Sequence, residues 1–542
     1  MRLVAIARRY GCRKRSAFTE CNGVPPRETG FRRCIRGRRA WRVNFGRVAL
    51  LIVLGAGAAS LASGGDASRY VWPGADGRLQ YASDEKGNRI PDFSFCGYHQ
   101  GEAEIPDVPV IAAIDPAPGD ASDRVQAAID AMAARPPDAA GIRGALLLRK
   151  GEYRLSRTLR ITAGGIVLRG EGSGPDGTVL IATARQQYSL IEAGSDNLPV
   201  TWKPVSGTWQ KIADDYVPVG ATKISVKNPS RYSVGDRVVI QRPSTVEWIH
   251  AIGMDAIPPR PDGGEVVQWA PGTKNLHFDR VIKAITGNQI EVDAPICNAL
   301  DAAYGGGVIF RYDLSRIAEV GIENLRGESL YDGSTDEQHG WTFITFNNVE
   351  NGWVRDVTAV HFGYSCVHLG KFAKAVTVER AQSLEPVSKI EGGRRYAFAI
   401  GGQLCLVRDC YSADGRHDFV FDALTPGPNV FLNCMAERAN ADSGPHQRWS
   451  CGMLFDNVTV QGNELNIRNR GNLGTGHGWT GANSVIWNSV AVRFICENPP
   501  TAQNWAIGCQ GAAEGNANWD LKGAAASPPS LYRAQLRDRL GH

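Results

Sequence analysis

The feature that most constrains this chain is an internal repeat in its C-terminal half, of the form apolar, any, Asn/Asp/Arg, small or apolar. It reads Ile322-Glu-Asn324-Leu, Val354-Arg-Asp356-Val, Val378-Glu-Arg380-Ala, Val407-Arg-Asp409-Cys, Phe431-Leu-Asn433-Cys, Phe455-Asp-Asn457-Val and Ile486-Trp-Asn488-Ser. The third positions are spaced by 32, 24, 29, 24, 24 and 31 residues. A period of about 20 to 50 residues with β-type patterning predicts a solenoid. Three short strands make one coil, and surplus residues become loops. Asn or Asp at the third position suits a tight turn and suggests an internal ladder of stacked side chains. The fourth position holds Leu325, Val357, Ala381, Cys410, Cys434, Val458 and Ser489, which predicts an inward-facing stack.

Upstream, Asp123-Arg-Val-Gln126 reads as a capping box, and Val125, Ile129 and Met132 share one helical face. A helix here would plug the open N-terminal end of the stack. Short apolar runs at 145–148, 159–162, 166–168 and 179–181 read as strands. From about residue 200 to 300 the pattern alternates at period two, as in Ile224-Ser-Val226, Val238-Val-Ile240 and Ile290-Glu-Val292, with Thr286-Gly-Asn288 as a hairpin turn. That predicts a small antiparallel β insertion with one wet face. Its segment from Ser244 to Asp279, with Trp248, His250 and Trp269, is too long for a connector and is expected as a cleft wall or a packing flap.

The N-terminus has a different character. Positions 1–47 hold fourteen basic and two acidic residues, a net of +12, followed by the apolar run Val48–Leu54 and the small pair Ser60 and Ala62. These are the three parts of a secretory signal, with cleavage expected after Ala62 and an exported, periplasmic or extracellular product. The apolar run is short for a membrane span, so no stable membrane insertion of the mature chain is expected; an uncleaved anchor, a twin-arginine signal at Arg38-Arg39 and a later start codon are the alternatives. The whole chain carries a net +5, so removing the +12 leader leaves −7. An acidic mature chain excludes a nucleic-acid partner on electrostatic grounds. Nine cysteines follow the leader, an odd number with no zinc-site spacing, and they read as buried small hydrophobes.

In Ala128-Ile129, Gly144-Ala-Leu-Leu-Leu148, Gly151-Glu-Tyr153 and Ile166-Val-Leu-Arg-Gly170-Glu-Gly172, continued by the repeat to about residue 510, the chain resembles the pectate-lyase-like right-handed parallel β-helix proteins. The resemblance implies an all-β, right-handed parallel β-helix with an N-terminal capping helix and an inserted antiparallel β subdomain. The expected layout is a leader and signal at 1–62, an exposed segment at 63–103, the β-helix at 104–510 and a tail at 511–542. The fold hosts lyases, hydrolases, epimerases and non-enzymatic phage or adhesive parts, so the reaction must be argued from residues.

Segments upstream of the repeat anchors supply those residues: Gln338-His339-Gly-Trp341, His361-Phe-Gly-Tyr364, Arg394-Arg395-Tyr396, Arg416-His417-Asp418, His446-Gln-Arg448-Trp449 and His477-Gly-Trp479. Stacked coils would bring them into one column. Aromatics offer platforms to sugar rings, arginines pair with carboxylates, and histidines move protons near neutral pH. The expected catalytic set is His417, His446, Arg448, Arg416 and Asp418. The expected substrate contacts are His339, Trp341, Tyr364, Arg394, Arg395, Trp449, His477 and Trp479. Imidazole and guanidinium together favour a secreted polysaccharide lyase that cleaves a uronic-acid glycan by β-elimination. A glycoside hydrolase would need two carboxylates, such as Asp414 with Asp418 or Asp336 with Glu337. A non-catalytic carbohydrate-binding β-helix is the third reading. The partner in each case is a polysaccharide or oligosaccharide. Neither the clustered Asp set of calcium-dependent pectate lyases nor the paired-Asp pattern of polygalacturonases is found, so no metal or other cofactor is assigned and calcium is left open.

Overall fold

The computed structural model describes residues 65–194 and 202–541. The leader, its apolar run and the cleavage point at Ala62 lie outside the described residues. Three long parallel sheets form the body. The first has 13 strands between Val110–Ile114 and Asn518–Asp520, the second has 10 between Gly151–Leu155 and Gln510–Glu514, and the third has 7 between Leu159–Ile161 and Gly444–Pro445. Each complete coil visits them in turn, as at Gly321–Glu323, Arg326–Ser329 and Gly340–Phe346. Parallel crossovers wind right-handed, and the architecture is a right-handed parallel β-helix.

The repeat is the corner between the first two sheets. Its apolar positions stand in register, Ile322 beside Val354, then Val378, Val407, Phe431, Phe455 and Ile486. All seven third-position residues are left-handed, from Asn488 at φ 46° to Asp356 and Asn457 at φ 55°. That conformation costs most L-residues about 1–2 kcal/mol and is least unfavourable for Asn and Asp. The Asn/Asp bias therefore reflects a backbone demand. The fourth-position side chains all point into the core and are buried. The expected internal ladder is instead external, because the corner turns the fourth residue inward and leaves the third facing outward. There Arg380 pairs with Asp356 at 2.7 Å and Asn433 donates to Asp409 at 3.1 Å.

The predicted plug is the helix Ser122–Ala133, with Val125, Ile129 and Met132 buried against Leu146, Leu159 and Leu168. Its cap is not the Asp123/Gln126 box. The helix starts one residue earlier, Asp120 accepts from the Ser122 amide and hydroxyl at 2.8 and 2.6 Å, and Gln126 donates to Asp130 and to the Arg160 carbonyl. The segment at 63–103 is, over its described residues, exposed only in part. Val71, Ile90, Phe93 and Cys96 pack on the outer face of the first sheet with the C-terminal helix Leu531–Leu540. Likewise the residues after 510 are no loose tail, since Asn518–Asp520 adds a strand to the first sheet. All nine described cysteines are free and buried.

The insertion leaves the third sheet after Tyr188–Ala193 and holds a six-stranded sheet with antiparallel pairing throughout. The hairpin at Thr286-Gly-Asn288 is present, pairing Thr286 with Gln289. A buried ionic knot fastens this unit to the coils. Asp279 of the insertion contacts Arg316 at 2.6 Å, Lys374 at 3.1 Å and the Tyr312 hydroxyl at 2.8 Å. Next to it, Arg280 donates to the carbonyls of Ala294, Pro295 and Gly427. Among the described residues, no helix is long and apolar enough to cross a membrane.

Candidate functional site

The third sheet's outer face carries Ala399 and Val420, packed by Tyr364 and Tyr396 from the turns that enter its strands. In a parallel stack the residues entering successive strands line up, so turns distant in sequence meet. Tyr364 lies 5.3 Å from Tyr396 between ring centroids, Tyr396 is 5.1 Å from His417 and 5.2 Å from His446, His417 is 4.8 Å from His446, and His446 is 4.9 Å from His477. This is a continuous aromatic and imidazole row across five coils.

Hydrogen bonding assigns the protons in the row. Arg470 Nη1 donates to His446 Nδ1 at 2.8 Å, and a guanidinium only donates. His446 therefore carries its proton on Nε2 and donates it to the Tyr396 hydroxyl oxygen at 3.1 Å. The Tyr396 hydroxyl thus accepts and keeps its own proton to give. His417 is the opposite tautomer, because its Nδ1 meets the Asp442 carbonyl, which only accepts. Its Nε2 is left with a buried, unpartnered lone pair. Asp442 is held by Arg470 at 2.5 Å.

The local field is positive. Burial, then Arg470, Arg448, Arg260 and Arg416, bring the His477 pKa down to about 4. Burial, then His417, Arg470, His477 and Arg416, hold His446 far below the ordinary imidazole value. Burial also lowers His417, against the opposing pull of Asp442. Burial works against an ionised Asp442, but Arg470, His417 and Arg468 outweigh it and keep the carboxyl low. All three imidazoles of the row are neutral at physiological pH. Further along, burial opposes charging of His368, yet the Asp422 carboxylate at 2.9 Å prevails and raises its pKa.

Beyond Asp422 the insertion and the coils enclose a cavity of about 640 Å³, lined by Gln241 and His277 from the insertion and by Lys371, Gln403 and Asp422 from the coils. Burial and then Lys371 lower the His277 pKa to about 4. The segment expected as a wall or flap does both. Gly272, Thr273 and Asn275 line the cavity, while Trp248 and Trp269 are buried in the insertion's own core.

The structure brings together His417, His446, His477, Arg416, Arg448 and Tyr364, with Trp341 one turn further on, where its carbonyl accepts from the Tyr364 amide at 2.8 Å. Others lie elsewhere. His339 is 0% exposed, tied to Ser329 Oγ and the Val387 carbonyl at 2.9 Å each, so it cannot touch substrate. Trp449 is 0% exposed in the insertion's core, donating to Asn298. Trp479 packs on the same core and donates to the Ile252 carbonyl. Arg394 is engaged by Glu337, and Arg395 by Ser388 and the Asp414 carbonyl. Asp418 is 0% exposed; burial pushes its pKa up to about 7, opposed by a hydrogen bond from Ser412. Of the other carboxylates considered for hydrolysis, Asp414 is clasped by Arg438, Asp336 accepts from the Asp332 and Gln338 amides, and Glu337 holds Arg394. No His, Cys, Asp or Glu group of metal-binding arrangement is present among the described residues.

Sequence reasoning did not place Tyr396, Arg470, Asp442, His368, Asp422, Lys371 or His277 in the site. Tyr396 stood in a segment already singled out; the available signal was its position immediately before a strand, matching His417. Arg470 and Asp442 carry no motif, and only the coil register puts Arg470 beside His446.

No family's sequence model and no curated protein sequence matches this chain. Among solved structures it is similar to Geobacillus virus E2 ORF18 at 11% identity and TM-score 0.33, covering 76% of this chain and 59% of that one. It is similar to a mutant tailspike protein of E. coli bacteriophage HK620 in complex with a pentasaccharide, at 9% identity and TM-score 0.37, covering 85% and 63%. A third is polygalacturonase from Erwinia carotovora ssp. carotovora, at 7% identity and TM-score 0.33, covering 77% and 96%. The chain thus spans less than two thirds of the first two. On the architecture of its own three sheets, the chain is a right-handed parallel β-helix protein, the fold of the pectate-lyase-like group.

Proposed function

We propose that the row from Tyr364 to His477 binds an acidic polysaccharide and cleaves it by β-elimination at a uronic acid. The observation that carries this reading is the Tyr396 hydroxyl, which accepts from His446 while its neighbour His417 presents an unpartnered Nε2 lone pair. Around it stand guanidinium groups that add to burial in keeping the imidazoles neutral. Such a field favours a bound carboxylate, and neutralising that carboxylate acidifies the adjacent C5 proton.

The roles follow from the proton positions. Arg416 and Arg448 pair with the uronate carboxylate. On substrate binding Tyr396 loses its phenolic proton to solvent, and the resulting phenolate, supported by the His446 Nε2–H, removes the C5 proton. The electron pair forms the C4=C5 double bond as the C4–O bond breaks, and the leaving oxygen takes the proton from Tyr396. The phenolate then regains a proton from solvent, which restores the starting state.

Turnover of a uronic-acid polysaccharide by single variants tests the assignment. Tyr396→Phe removes only the hydroxyl and should lower kcat by about 100-fold or more, the usual worth of a general acid–base group, with an unchanged melting temperature. Arg416→Ala should chiefly raise KM for the acidic polymer. Full activity in Tyr396→Phe would remove the proposed acid–base group.

A further inference from the structure

A second cavity, of about 490 Å³, lies where the N-terminal segment, the insertion and the last coils meet. Arg242 and Gln241 are neighbours on the strand Arg237–Arg242, and side chains of a strand alternate faces. Gln241 lines the cavity beside the groove, whereas Arg242 lines this one. Arg242 is 2% exposed, and its guanidinium stacks on the Trp248 ring at 3.7 Å. Its Nη1 donates to the Pro243 carbonyl at 3.1 Å, but Nε and Nη2 have no hydrogen-bond partner. Those two nitrogens form the side edge of the guanidinium, the pair of parallel N–H groups that clasps a carboxylate bidentately. Leaving such donors buried and unpaired is costly. Burial without a counter-charge also draws the Arg242 pKa down to about 9.

The rest of the wall narrows the ligand. Asn88, Asn298, Asn483 and Gln503 supply amides, and Tyr216 and Tyr304 supply phenols; the amides and Tyr216 are each bonded within the protein but have a further N–H or lone pair suited to sugar hydroxyls. Asp84 and Asp301 also line it with Lys86, which pairs with Asp301 at 3.3 Å, and the carboxylate charge left at Asp84 disfavours a dianion more than a monoanion. The volume lies within the range of small-ligand sites. We infer that this cavity is a binding site for a small sugar acid, whose carboxylate seats on the Nε/Nη2 edge of Arg242. It is separate from the groove and does not depend on the reaction assigned there.

The test uses calorimetric titration of the full chain carrying Arg416→Ala and Arg448→Ala, so that groove binding is suppressed. Galacturonate and glucuronate should bind with one site per chain, whereas galactose, glucose and inorganic phosphate should bind at least tenfold more weakly. Adding Arg242→Met should weaken uronate binding by about tenfold or more, the worth of charge-assisted hydrogen bonds. Equal binding of neutral sugars, or tighter binding of phosphate, would overturn the inference. Should Arg242→Met fail to fold, a crystal of the unsubstituted chain soaked with galacturonate decides. The expected result is a carboxylate within hydrogen-bond distance of Arg242 Nε and Nη2. A sugar seated only in the groove, or none, contradicts it.

Discussion

Two imidazoles in ring contact, His417 and His446, hold their protons on opposite nitrogens, each fixed by a partner that can only give or only take. This asymmetry aims the His446 proton at the Tyr396 hydroxyl and leaves the His417 Nε2 lone pair open. The pH dependence follows. Because the imidazole pKa values lie below the ordinary 6.5, with His477 at about 4, the neutral forms persist as pH falls through the usual histidine range. The acid limb of kcat/KM should therefore lie well below pH 6.5, and a limb near 6.5 would show that a histidine of ordinary pKa controls the rate. His446→Ala should abolish turnover, since it removes the donor to Tyr396. The sequence already displayed His417, His446 and His477 as recurring upstream of the anchors. It did not display the pairing of His446 with Arg470, 24 residues on, because that contact exists only through coil register. Nor could it reveal that His339 and Trp449 are consumed by packing, since each occupies a segment that otherwise looks like its neighbours'.

At the scale of elements, the site is a sheet face joined to an insertion, and the join is ionic. Asp279, Arg316 and Lys374 are fully buried together, and removing one partner of a buried pair leaves an uncompensated charge. Asp279→Asn, which leaves Arg316 and Lys374 buried without their shared carboxylate, should thus cost about 3–5 kcal/mol in chemical denaturation. A loss under about 1 kcal/mol would show that the knot is not holding the insertion. Period-two alternation made the insertion's strands and its hairpin legible, and the repeat made the corner legible down to the left-handed residue. The side on which the insertion docks was not legible. It depends on how Asp279 and Arg280 meet Lys374 and the Gly427 carbonyl, across more than 90 residues of chain.

At the scale of the whole molecule, the helix is closed at its start by Ser122–Ala133 and sheathed along the first sheet by residues between Val71 and Cys96 and by the helix Leu531–Leu540. The final helix is held through Asp456, which accepts from Ser530 Oγ at 2.6 Å and from the Tyr532 amide at 2.8 Å. Burial raises the Asp456 pKa from 3.8 to about 7. A carboxyl raised in the folded state contributes stability at low pH that is lost as pH rises through the folded value. Asp456→Asn should therefore gain melting temperature relative to the unsubstituted chain as pH rises from 4 to 7, and a constant difference would contradict the shift. The proposed reaction is defined by the bond that breaks. The direct measurement is the product of incubating the protein with uronic-acid and neutral polysaccharides, reading ultraviolet absorbance of the new double bond and reducing ends in parallel. Elimination predicts both signals, in equal amounts, on the acidic polymers alone. Reducing ends without ultraviolet absorbance, on any of them, would contradict it.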